Sequence, residues 1–587
     1  MLYNILVETY KKIESTKKRL KKTYYVAELL KKTSEKEIDK VLLLLQGRIF
    51  PKHSEQKLGV ASQLIIKAIN SASGFSEREI TKLWKEMGDL GDVAAHVTKK
   101  RKQTSLYSET LTIEKVFSTL KNLAKAEGVG SNEKKNNLIA ELLSSASPDE
   151  TKFIIRTILE VMRVGIGRGT LRDAIAWVYF GKEIGISYDE EGNIINLTGE
   201  PKKRYKEYID AIQRGYDITN EFSIVIKSIK KCGIQGVEEI ALLPGKPLNV
   251  MLYIKAEDID NAIKIVGSPA AFEFKLDGFR LQCHKRDNKI LLFTRRLEDV
   301  TAQFQEVVES LEKLVEADSY ILEGEAVGYD PKTKRYLPFQ KISQRIKRKY
   351  NISEIAKQYP VELNLFDLIY LNGKSHLATK FIRRRELLKE IVSEKKGEIV
   401  LVKQLVTSEK KRAEEFYRSA LETGQEGIMA KNLDAVYKPG ARIGYGVKIK
   451  PTLEPLDLVI VKAEYGEGKR SGWLTSYVMA CKLEKEEKLL EIGKVSTGLK
   501  EKEEEGLSFK ELTQLLKPLI KKSEGKEVYV QPKIILEVAY EEIQKSPTYS
   551  SGYALRFPTI KRLRSNEKDI KEINTLKDVE RLYTQQR

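Results

Sequence analysis

The sequence has few of the residues that build zinc sites and disulfide frameworks. Its 587 residues include three cysteines and four histidines, and Cys232, Cys283 and Cys481 lie far apart, with no CxxC spacing. These absences exclude a four-cysteine zinc site and an HExxH metal site, and they favour a reducing compartment without structural disulfides. A catalytic metal ion would have to be held by carboxylates and phosphates, the ligands that Mg²⁺ and Mn²⁺ prefer.

Long apolar runs are also absent. No segment reaches the ~20 consecutive apolar residues that a membrane-spanning helix needs. The N-terminus is amphipathic and lacks the uninterrupted apolar stretch of a signal peptide. We therefore expect a cytoplasmic protein with no targeting signal and no membrane partner.

Positive charge is in excess, at 104 Lys and Arg against 84 Asp and Glu, which gives a formal net charge of +20. Such an excess favours a polyanionic partner, most often a nucleic acid. A surface rich in Lys and Glu is also typical of thermophilic proteins, because ion pairs lose less on desolvation at high temperature. Both interpretations can hold for one protein.

The hydrophobic pattern divides the chain into three regions, as expected for a length that exceeds one hydrophobic core. Residues 1–240 are predicted to be almost wholly helical, and a linker with Pro and Gly follows at 242–252. Residues 241–453 alternate with a period of two between helical stretches, which indicates a mixed α/β domain. Residues 454–587 contain short strands and one helical insert, which suits a small β-barrel of the oligonucleotide-binding kind.

Local signals predict where several helices begin and end. Three capping boxes are predicted, formed by Ser34 with Glu37, Ser76 with Glu79, and Ser147 with Glu150. One helix is predicted to stop at Gly165 and the next to begin at Thr170. The helical insert in the last region is predicted over residues 508–522.

The segment AFEFKLDGFR places unusual chemistry on one strand. Alternation puts apolar and charged side chains on opposite faces, namely Phe272, Phe274 and Leu276 against Glu273, Lys275 and Asp277. To act as a nucleophile, Lys275 must lose its proton, which nearby cations and partial burial favour. Its two carboxylate neighbours oppose that loss unless they are otherwise engaged. This conflict predicts a magnesium ion and further lysines close to Lys275.

Later segments offer partners for that lysine. In chain order they are Glu323, Glu325, Phe366, Glu426, Lys431, Lys448 and Lys450. The first two glutamates share a strand face and are a candidate magnesium site, the phenylalanine can stack on a purine, and the last two lysines suit a triphosphate. Each piece alone has an ordinary explanation as core or solvated surface. Their occurrence together in this order predicts a nucleotide site.

A resemblance covers essentially the whole chain. The ordered segments that carry it are MGDLGDVA, EFKLDGFR, FTRRLEDVT, ILEGEAVGYD, LFDLIYLNG, EGIMAKN, GVKIK and ALRFPTIKRLR. Together they resemble the ATP-dependent DNA ligases of the archaeal and eukaryotic replicative type, within the covalent nucleotidyltransferase superfamily. The resemblance implies an all-α DNA-binding domain over 1–240, an α+β nucleotidyltransferase (adenylation) domain over 241–453 and a β-barrel OB-fold domain over 454–587.

The implied function is the sealing of nicks in double-stranded DNA during replication, repair and recombination. The implied intermediates are an enzyme-lysyl-AMP and a DNA-adenylate, with ATP as the AMP donor and Mg²⁺ or Mn²⁺ as the metal. A nucleoid-associated place in the cytoplasm would follow from that function.

The resemblance also implies residue roles. Lys275 forms the bond to AMP, Glu273 helps to select adenine, and Phe366 stacks on it. The other nucleotide-binding or nick-binding residues are Arg280, Arg295, Glu325, Arg442, Lys448 and Lys450. Glu325 and Glu426 organise the metal. The residues that orient the departing pyrophosphate are Arg556, Arg562 and Arg564.

Two positions depart from the family pattern. Gly446 occupies a place where the family often has Trp, with Tyr445 beside it, and Thr559 occupies the place of an arginine in RFPR. A separate short segment resembles a motif that binds a sliding clamp of the PCNA type, through Gln103, Leu106 and Tyr107. Local packing of its aliphatic and aromatic side chains is the alternative interpretation.

Other functions remain open at this point. RNA ligases and messenger-RNA capping guanylyltransferases also use Lys-x-Asp-Gly, but the long helical region and Glu273 favour a DNA ligase. An NAD-dependent ligase is disfavoured because its four-cysteine zinc site cannot be built here. A non-catalytic DNA-binding scaffold is the alternative from another class, and the intact Lys275, Glu325, Glu426 and Lys448 argue against it.

Overall fold

The structure, a computed structural model, describes residues 1–52, 54, 56–101, 110–330, 332–333, 335–337, 339–346, 351–451, 453–467, 470–484, 488–501, 504 and 506–586. The clamp-like segment with Gln103, Leu106 and Tyr107 lies outside the described residues. The chain forms two compact units. The first consists of Met1–Ala61, Tyr107–Leu138 and Arg156–Lys450, and the second of Ser62–Leu106, Ile139–Ile155 and Pro451–Arg587.

The N-terminal region is built mainly from helices. They are α1 Tyr3–Glu14, α2 Arg19–Lys32, α3 Ile38–Leu45, α4 Ser62–Ser73, α5 Glu77–Met87, α6 Leu90–Lys99, α7 Ile113–Lys125, α8 Ser131–Ser145, α9 Pro148–Ile158, α10 Arg168–Phe180, α11 Gly199–Thr219 and α12 Phe222–Glu238. A short hairpin of β1 Tyr188–Asp189 and β2 Ile194–Ile195 stands before α11. The region is therefore helical with one small hairpin, and the expectation of an all-α region needs that correction.

Two of the three predicted capping boxes are present. Ser76 and Glu79 cap α5 reciprocally, and Ser147 and Glu150 exchange the same two hydrogen bonds before α9. The third prediction is wrong, because α3 begins only after Glu37, whose carboxylate is bound by the Met1 ammonium and the Ser34 hydroxyl.

The helix limits around the glycine-rich loop also differ from the prediction. Helix α9 ends at Ile158, before the predicted stop at Gly165, and α10 begins at Arg168, before the predicted start at Thr170. Gly165 lies in the connecting loop with a φ of 73°, a conformation that favours glycine.

Two sheets form the middle of the chain. Their elements are β3 Leu252–Lys255, α13 Ile259–Val266, β4 Ala270–Lys275, β5 Phe279–Arg286, β6 Lys289–Thr294, α14 Gln305–Leu314, β7 Tyr320–Asp330, β8 Arg335–Leu337, α15 Phe339–Ile346, α16 Ile352–Gln358, β9 Val361–Leu371, β10 Lys374–Ser375, α17 Phe381–Ile391, β11 Ile399–Leu401, β12 Gln404–Thr407, α18 Lys410–Glu422, β13 Gly427–Asn432 and β14 Arg442–Ile449. One sheet has the order β10-β9-β7-β5-β6, with β11 on β9 and β8 on β7, and the other has the order β12-β4-β13-β14-β3. The predicted α/β character of this region is thus observed.

One face of the sheet β12-β4-β13-β14-β3 packs against helices α13 and α18. Its buried strand residues are Phe272, Ile428, Ala430, Val447 and Ile449. They pack with Ala413 and Phe416 of α18. Since strand side chains alternate, burying this face directs the residues between them to the other face of the sheet.

The last part of the chain is rich in β-structure. Its elements are β15 Leu456–Tyr465, β16 Leu474–Lys482, β17 Leu489–Val495, α19 Phe509–Leu516, β18 Ile520–Glu524, β19 Glu527–Val530, β20 Ile535–Ala539, β21 Glu542–Lys545, β22 Tyr553–Arg556, β23 Thr559–Leu563 and α20 Leu576–Gln585. Strands β17-β16-β15-β19-β18 form one sheet, with β20 joining β15 to β23, and β21 pairs with β22.

The helical insert predicted over 508–522 is shorter than expected. Helix α19 ends at Leu516, and Ile520–Glu524 forms strand β18, paired with β19. Pro518 explains the early end, because it has no N–H to donate and disrupts a continuing helix. In the described part of the chain, no helix is both long and apolar enough to cross a membrane.

A fully buried ion pair joins α17 to the strand β9. Arg384 binds both carboxylate oxygens of Asp367, at 2.7 and 3.0 Å, and it also donates to the carbonyls of Thr379 and Ala435. Burial alone would raise the pKa of Asp367, but Arg384 outweighs it and holds this pKa below its usual value. The pair fixes the strand position next to Phe366.

Replacing Arg384 with Met is expected to destabilise the protein by about 3–5 kcal/mol, because it leaves the Asp367 carboxylate buried without its partner. Urea unfolding at neutral pH measures the change. Arg383→Met is the matched control, since Arg383 is exposed and pairs with two exposed glutamates, Glu386 and Glu390. It should leave the unfolding midpoint unchanged, and an equal loss in both variants would contradict the assignment.

Candidate active site

The sheet β12-β4-β13-β14-β3 has a polar face, and Lys275 lies on it at the end of β4. Glu273 is paired with Gln404 on β12 and Met429 on β13, and Met429 is paired with Lys448 on β14. Paired residues and residues two apart along a strand share a face. The polar face therefore carries Glu273, Lys275, Gln404, Met429, Lys431 and Lys448. The predicted alternation is confirmed as far as Lys275, where β4 ends.

Glu426 holds two lysines at once. Its Oε2 contacts the Lys275 ammonium and lies 2.9 Å from Nζ of Lys450, while its backbone N–H donates to the Lys275 carbonyl at 2.9 Å. Burial would raise the pKa of Glu426, but Lys275 and then Lys450 outweigh it and lower this pKa to about 2. The carboxylate is thus ionised at neutral pH and fixes the Lys275 side chain.

The two carboxylates beside Lys275 in the sequence are engaged elsewhere. Glu273 accepts from Lys431 at 2.5 Å and from Gln404 at 2.9 Å. Asp277 accepts from the backbone N–H of Phe339 at 3.1 Å. Each of these two sequence neighbours therefore has a partner of its own, and Glu426 is the carboxylate that stabilises the Lys275 ammonium.

Glu323 and Glu325 have different surroundings. Glu323 is fully buried and bound by Arg280, by Gln282 at 3.1 Å and by Tyr437 at 3.0 Å. The prediction that it shares a metal site with Glu325 is wrong, since these bonds commit both of its oxygens to the core.

Glu325 is an acid whose pKa is affected by the charge of Lys275. It is paired with Arg280 across β5 and β7. Burial first, and then the charges of Glu426 and Asp277, raise its pKa from 4.5 to about 7 despite Lys275 and Arg280. Carboxylates that repel one another in this way fit a divalent cation.

The described residues do not supply a complete set of ligands for a metal ion. In the residues that the structure describes, no group of three or more His, Cys, Asp or Glu could hold a metal ion. Glu325 and Glu426 are two carboxylates, and Mg²⁺ is commonly bound by one or two carboxylates together with substrate phosphates. The donor set therefore fits Mg²⁺ that arrives with a phosphorylated ligand.

Gly278, the glycine of Lys-x-Asp-Gly, is required by a close approach. A Cβ at this position would lie 2.4 Å from the Ala326 carbonyl oxygen and 2.9 Å from Cγ of Glu325. A side chain here would push β7 away and displace the acid with the raised pKa.

Phe366 lies between two cations. Its ring centroid is 5.2 Å from the Arg280 guanidinium and 4.8 Å from the Lys431 ammonium. The ring is partly exposed, so an apolar surface stands among charges close to the polar sheet face.

Gly446 lies under the ring of Tyr253 on the neighbouring strand β3. A Cβ at position 446 would be 2.5 Å from a ring carbon. This overlap gives a physical reason for the first departure from the family pattern, because the tyrosine fills the space that a side chain at 446 would need.

The remaining predicted site residues are five arginines. Arg295 is exposed in the turn after β6, and Arg442 is exposed at the start of β14. The predicted pyrophosphate residues belong to the second unit, where each pairs with an acid: Arg556 with Glu542, Arg562 with Glu537, and Arg564 with Glu567.

Some residues of the site were not assigned a role from the sequence. Gln404 is 131 positions from Glu273, and only the pairing of β12 with β4 brings them together. Tyr253 and Tyr437 had no signal, because each lies in a strand or loop without a recognisable motif. Lys431 carried a signal through EGIMAKN, but its partner could not be predicted.

A lysine at a strand end, held by an acid and flanked by a second acid and further lysines, suits an enzyme that forms a covalent lysine intermediate with a nucleotide phosphate. The fold and site thus define the class of covalent nucleotidyltransferases.

Three family models match the chain: DNA ligase N terminus over residues 2–176, ATP dependent DNA ligase domain over 250–450, and ATP dependent DNA ligase C terminal region over 470–567. The chain belongs to the ATP-dependent DNA ligase family, whose function is the sealing of nicks. Its architecture is that of a multidomain ligase with a helical N-terminal region and a β-rich C-terminal part.

Curated relatives named DNA ligase come from archaea. The chain is 45% identical to that of Nanoarchaeum equitans, with 100% of this chain and 99% of the relative covered. It is 40% identical to that of Thermococcus fumicolans, with 99% and 98% covered. The solved structure described as "Pmar-Lig_Pre." is 17% identical with a TM-score of 0.57, covers 95% of this chain and 99% of its own, and shows similarity of fold.

The raised pKa of Glu325 has a measurable effect on stability. The folded protein holds this proton more tightly than the unfolded chain, so Glu325 costs stability as the pH rises from 4.5 to about 7. In metal-free buffer, Glu325→Gln should be more stable than the wild type at pH 8, by on the order of 2 kcal/mol, and equally stable at pH 4.

Urea unfolding at the two pH values, with a chelator present, measures this difference. Glu312→Gln, at an exposed position of α14, is the control and should show no pH-dependent gain. A Glu325→Gln variant that is less stable than the wild type at pH 8 would show that the carboxylate is not strained by burial.

Proposed function

We propose that this chain seals nicks in double-stranded DNA with Lys275 as the residue that carries AMP. The observation that carries the proposal is the position of Lys275 on the polar sheet face, with Glu426 against its ammonium and Glu325 close by. ATP is the nucleotide that the family uses, and the nick is the DNA site on which it acts.

The reaction has three steps. The Lys275 ammonium loses a proton, and its Nζ attacks the α-phosphorus of ATP. A P–N bond forms, the bond between this phosphorus and the oxygen that bridges to the β-phosphate breaks, pyrophosphate leaves, and the nitrogen loses a second proton. An oxygen of the 5′-phosphate at the nick then attacks this phosphorus, and the P–N bond breaks as the lysine nitrogen takes up a proton and leaves as the amine. Finally the 3′-hydroxyl loses its proton, attacks the 5′-phosphorus and expels AMP.

The residues around Lys275 lower the barriers mainly through position and charge. Glu426 fixes the lysine before ATP binds. Lys448 and Lys450 offset the charge of the phosphates. Glu325 and Glu426 would hold Mg²⁺ or Mn²⁺, which supplies positive charge where phosphate charge develops.

The nucleotide is oriented by residues on both sheets. Glu273 reads the adenine and Phe366 stacks on it. Phosphate and ribose contacts fall to Arg280, Arg295, Glu325 and Arg442. The pyrophosphate is oriented by Arg556, Arg562 and Arg564.

The finer organisation of the chain is also part of the proposal. The domains are a helical DNA-binding domain at 1–240, an adenylation domain at 241–453 and an OB-fold domain at 454–587. Gln103, Leu106 and Tyr107 bind a PCNA-type sliding clamp, and the protein works in the cytoplasm at the nucleoid. The net charge of +20 supports a DNA-binding surface.

The test is covalent labelling with magnesium and α-labelled ATP, followed by denaturation. The wild type is expected to keep one label per chain and to release it when nicked duplex DNA is added. Lys275→Ala should take no label, because the amine that accepts AMP in this proposal is removed. Lys285→Ala, at a lysine on the neighbouring sheet that binds the Ala317 carbonyl, is the control and should label normally.

Nicked RNA and labelled GTP, tested in parallel, separate this function from RNA ligation and from capping. Absence of label in the wild type would contradict the proposal and favour the alternative function, a non-catalytic DNA-binding scaffold. Equal labelling of the wild type and Lys275→Ala would instead place the nucleotide on another residue.

A further inference from the structure

The Glu273 carboxylate is buried and held at both oxygens. Its relative exposure is 2%. Gln404 Nε2 donates to Oε1 at 2.9 Å, and Lys431 Nζ lies 2.5 Å from Oε2. An ionised carboxylate offers about four acceptor positions, so two protein donors fix its orientation and leave capacity to accept from a ligand.

Lys431 forms its ion pair with Glu273. It lies on β13 opposite Ala271, one diagonal step from Glu273 on the same sheet face. Its side chain is 5% exposed, and its ammonium lies 4.8 Å from the Phe366 ring and 4.7 Å from the Phe381 ring. The nearby Asp367 is bound through both oxygens to Arg384.

Through these contacts Lys431 connects Glu273, the acid proposed to bind the adenine, with Phe366, the ring proposed to stack on it. Burial would lower the pKa of Lys431, but Glu273 first, then Tyr253 and Asp367, raise it, so the ammonium is charged at neutral pH. One cation therefore touches both Glu273 and the Phe366 ring.

We propose that Lys431 is a positioning residue for nucleobase selection, which together with Gln404 keeps Glu273 a fixed group that only accepts hydrogen bonds. The inference rests on the proposed function, in which Glu273 faces the adenine of ATP. An acceptor-only group receives the amino group at position 6 of adenine. It repels the carbonyl oxygen at the same position of guanine, which has no hydrogen to donate.

Removing the Lys431 charge changes the chemistry of its partner. A buried carboxylate without a counter-charge is costly, and such a group takes up a proton instead. The resulting carboxylic acid both donates and accepts hydrogen bonds, so it can bind the guanine carbonyl oxygen. Discrimination between adenine and guanine should then fall. A site that selects a base through an acceptor loses selectivity when that group can also donate a hydrogen bond.

The experiment measures single-turnover labelling of Lys275 with α-labelled ATP and α-labelled GTP over a range of nucleotide concentrations. Lys431→Met is expected to raise the KM for ATP by ~10- to 100-fold and to reduce the preference for ATP over GTP by a similar factor. The maximal rate with ATP should stay within ~3-fold, because Lys431 does not touch the reacting atoms. Lys431→Arg, which keeps the charge, should restore the preference.

Lys403→Met is the matched control. Lys403 also lies over aromatic rings, at 4.9 Å from Phe274 and 5.9 Å from Phe416, but it is exposed. It is adjacent to Gln404 in the sequence, so it tests for a general effect of losing a lysine here. Its KM values and nucleotide preference should match the wild type.

A double variant keeps the proposal testable if Lys431→Met alone does not fold. Glu273→Gln with Lys431→Met contains neither buried charge, and it should fold and prefer ATP no more than Glu273→Gln alone does. A double variant that keeps the wild-type preference would overturn the inference.

The outcomes separate this inference from the proposed function. A folded Lys431→Met variant with wild-type KM and wild-type preference overturns the role of Lys431 and leaves ligation intact. A loss of maximal rate without a change in KM or preference overturns it as well, since that is a structural effect. A wild type that takes no label from either nucleotide overturns the proposed function, and the inference with it.

Discussion

Ionised groups around Lys275 must be neutralised in pairs, because an isolated charge in a protein interior costs several kcal/mol. Each strand near the lysine meets this constraint with a different partner. Glu273 is matched by Lys431, Glu323 by Arg280, and Asp367 by Arg384. Glu426 is matched by two lysines. Among the carboxylates named here, Glu325 is the one with a raised pKa, mainly because it is buried, and it lies close to the nucleophile.

The two sheets contribute different residues to the site. The β4 sheet carries the lysine and the base-reading acid on its polar face, while the β7 sheet supplies Glu325 and Phe366. Gly278 allows the close approach at which the two meet, since its missing side chain leaves room for the Ala326 carbonyl and the Glu325 stem. A sequence with the same charged residues but a larger residue at 278 could not bring Glu325 close enough to interact with the charge of Lys275.

Much of this arrangement was predictable from local sequence. Alternation along β4 assigned the faces of Glu273 and Lys275 correctly, and the order of motifs predicted a nucleotide site. The pattern could not distinguish Glu323 from Glu325, because both lie on one strand and a register shift at Glu323 and Gly324 decides their surroundings. Nor could it pair Glu273 with Gln404, since strand order is a long-range property. Ser34 failed as a cap because α3 begins only after Glu37, whose carboxylate binds the Met1 ammonium.

The ring of Tyr253 above Gly446 has a consequence for how such sites change over evolutionary time. An aromatic side chain at 446 and the present one at 253 compete for the same volume, since even a Cβ at 446 would lie 2.5 Å from a carbon of the Tyr253 ring. A lineage that moved the aromatic group from one strand to its neighbour had to pass through a clash or a cavity, or change both positions together. The two sites are therefore expected to covary among relatives, a large residue at one accompanying a small residue at the other.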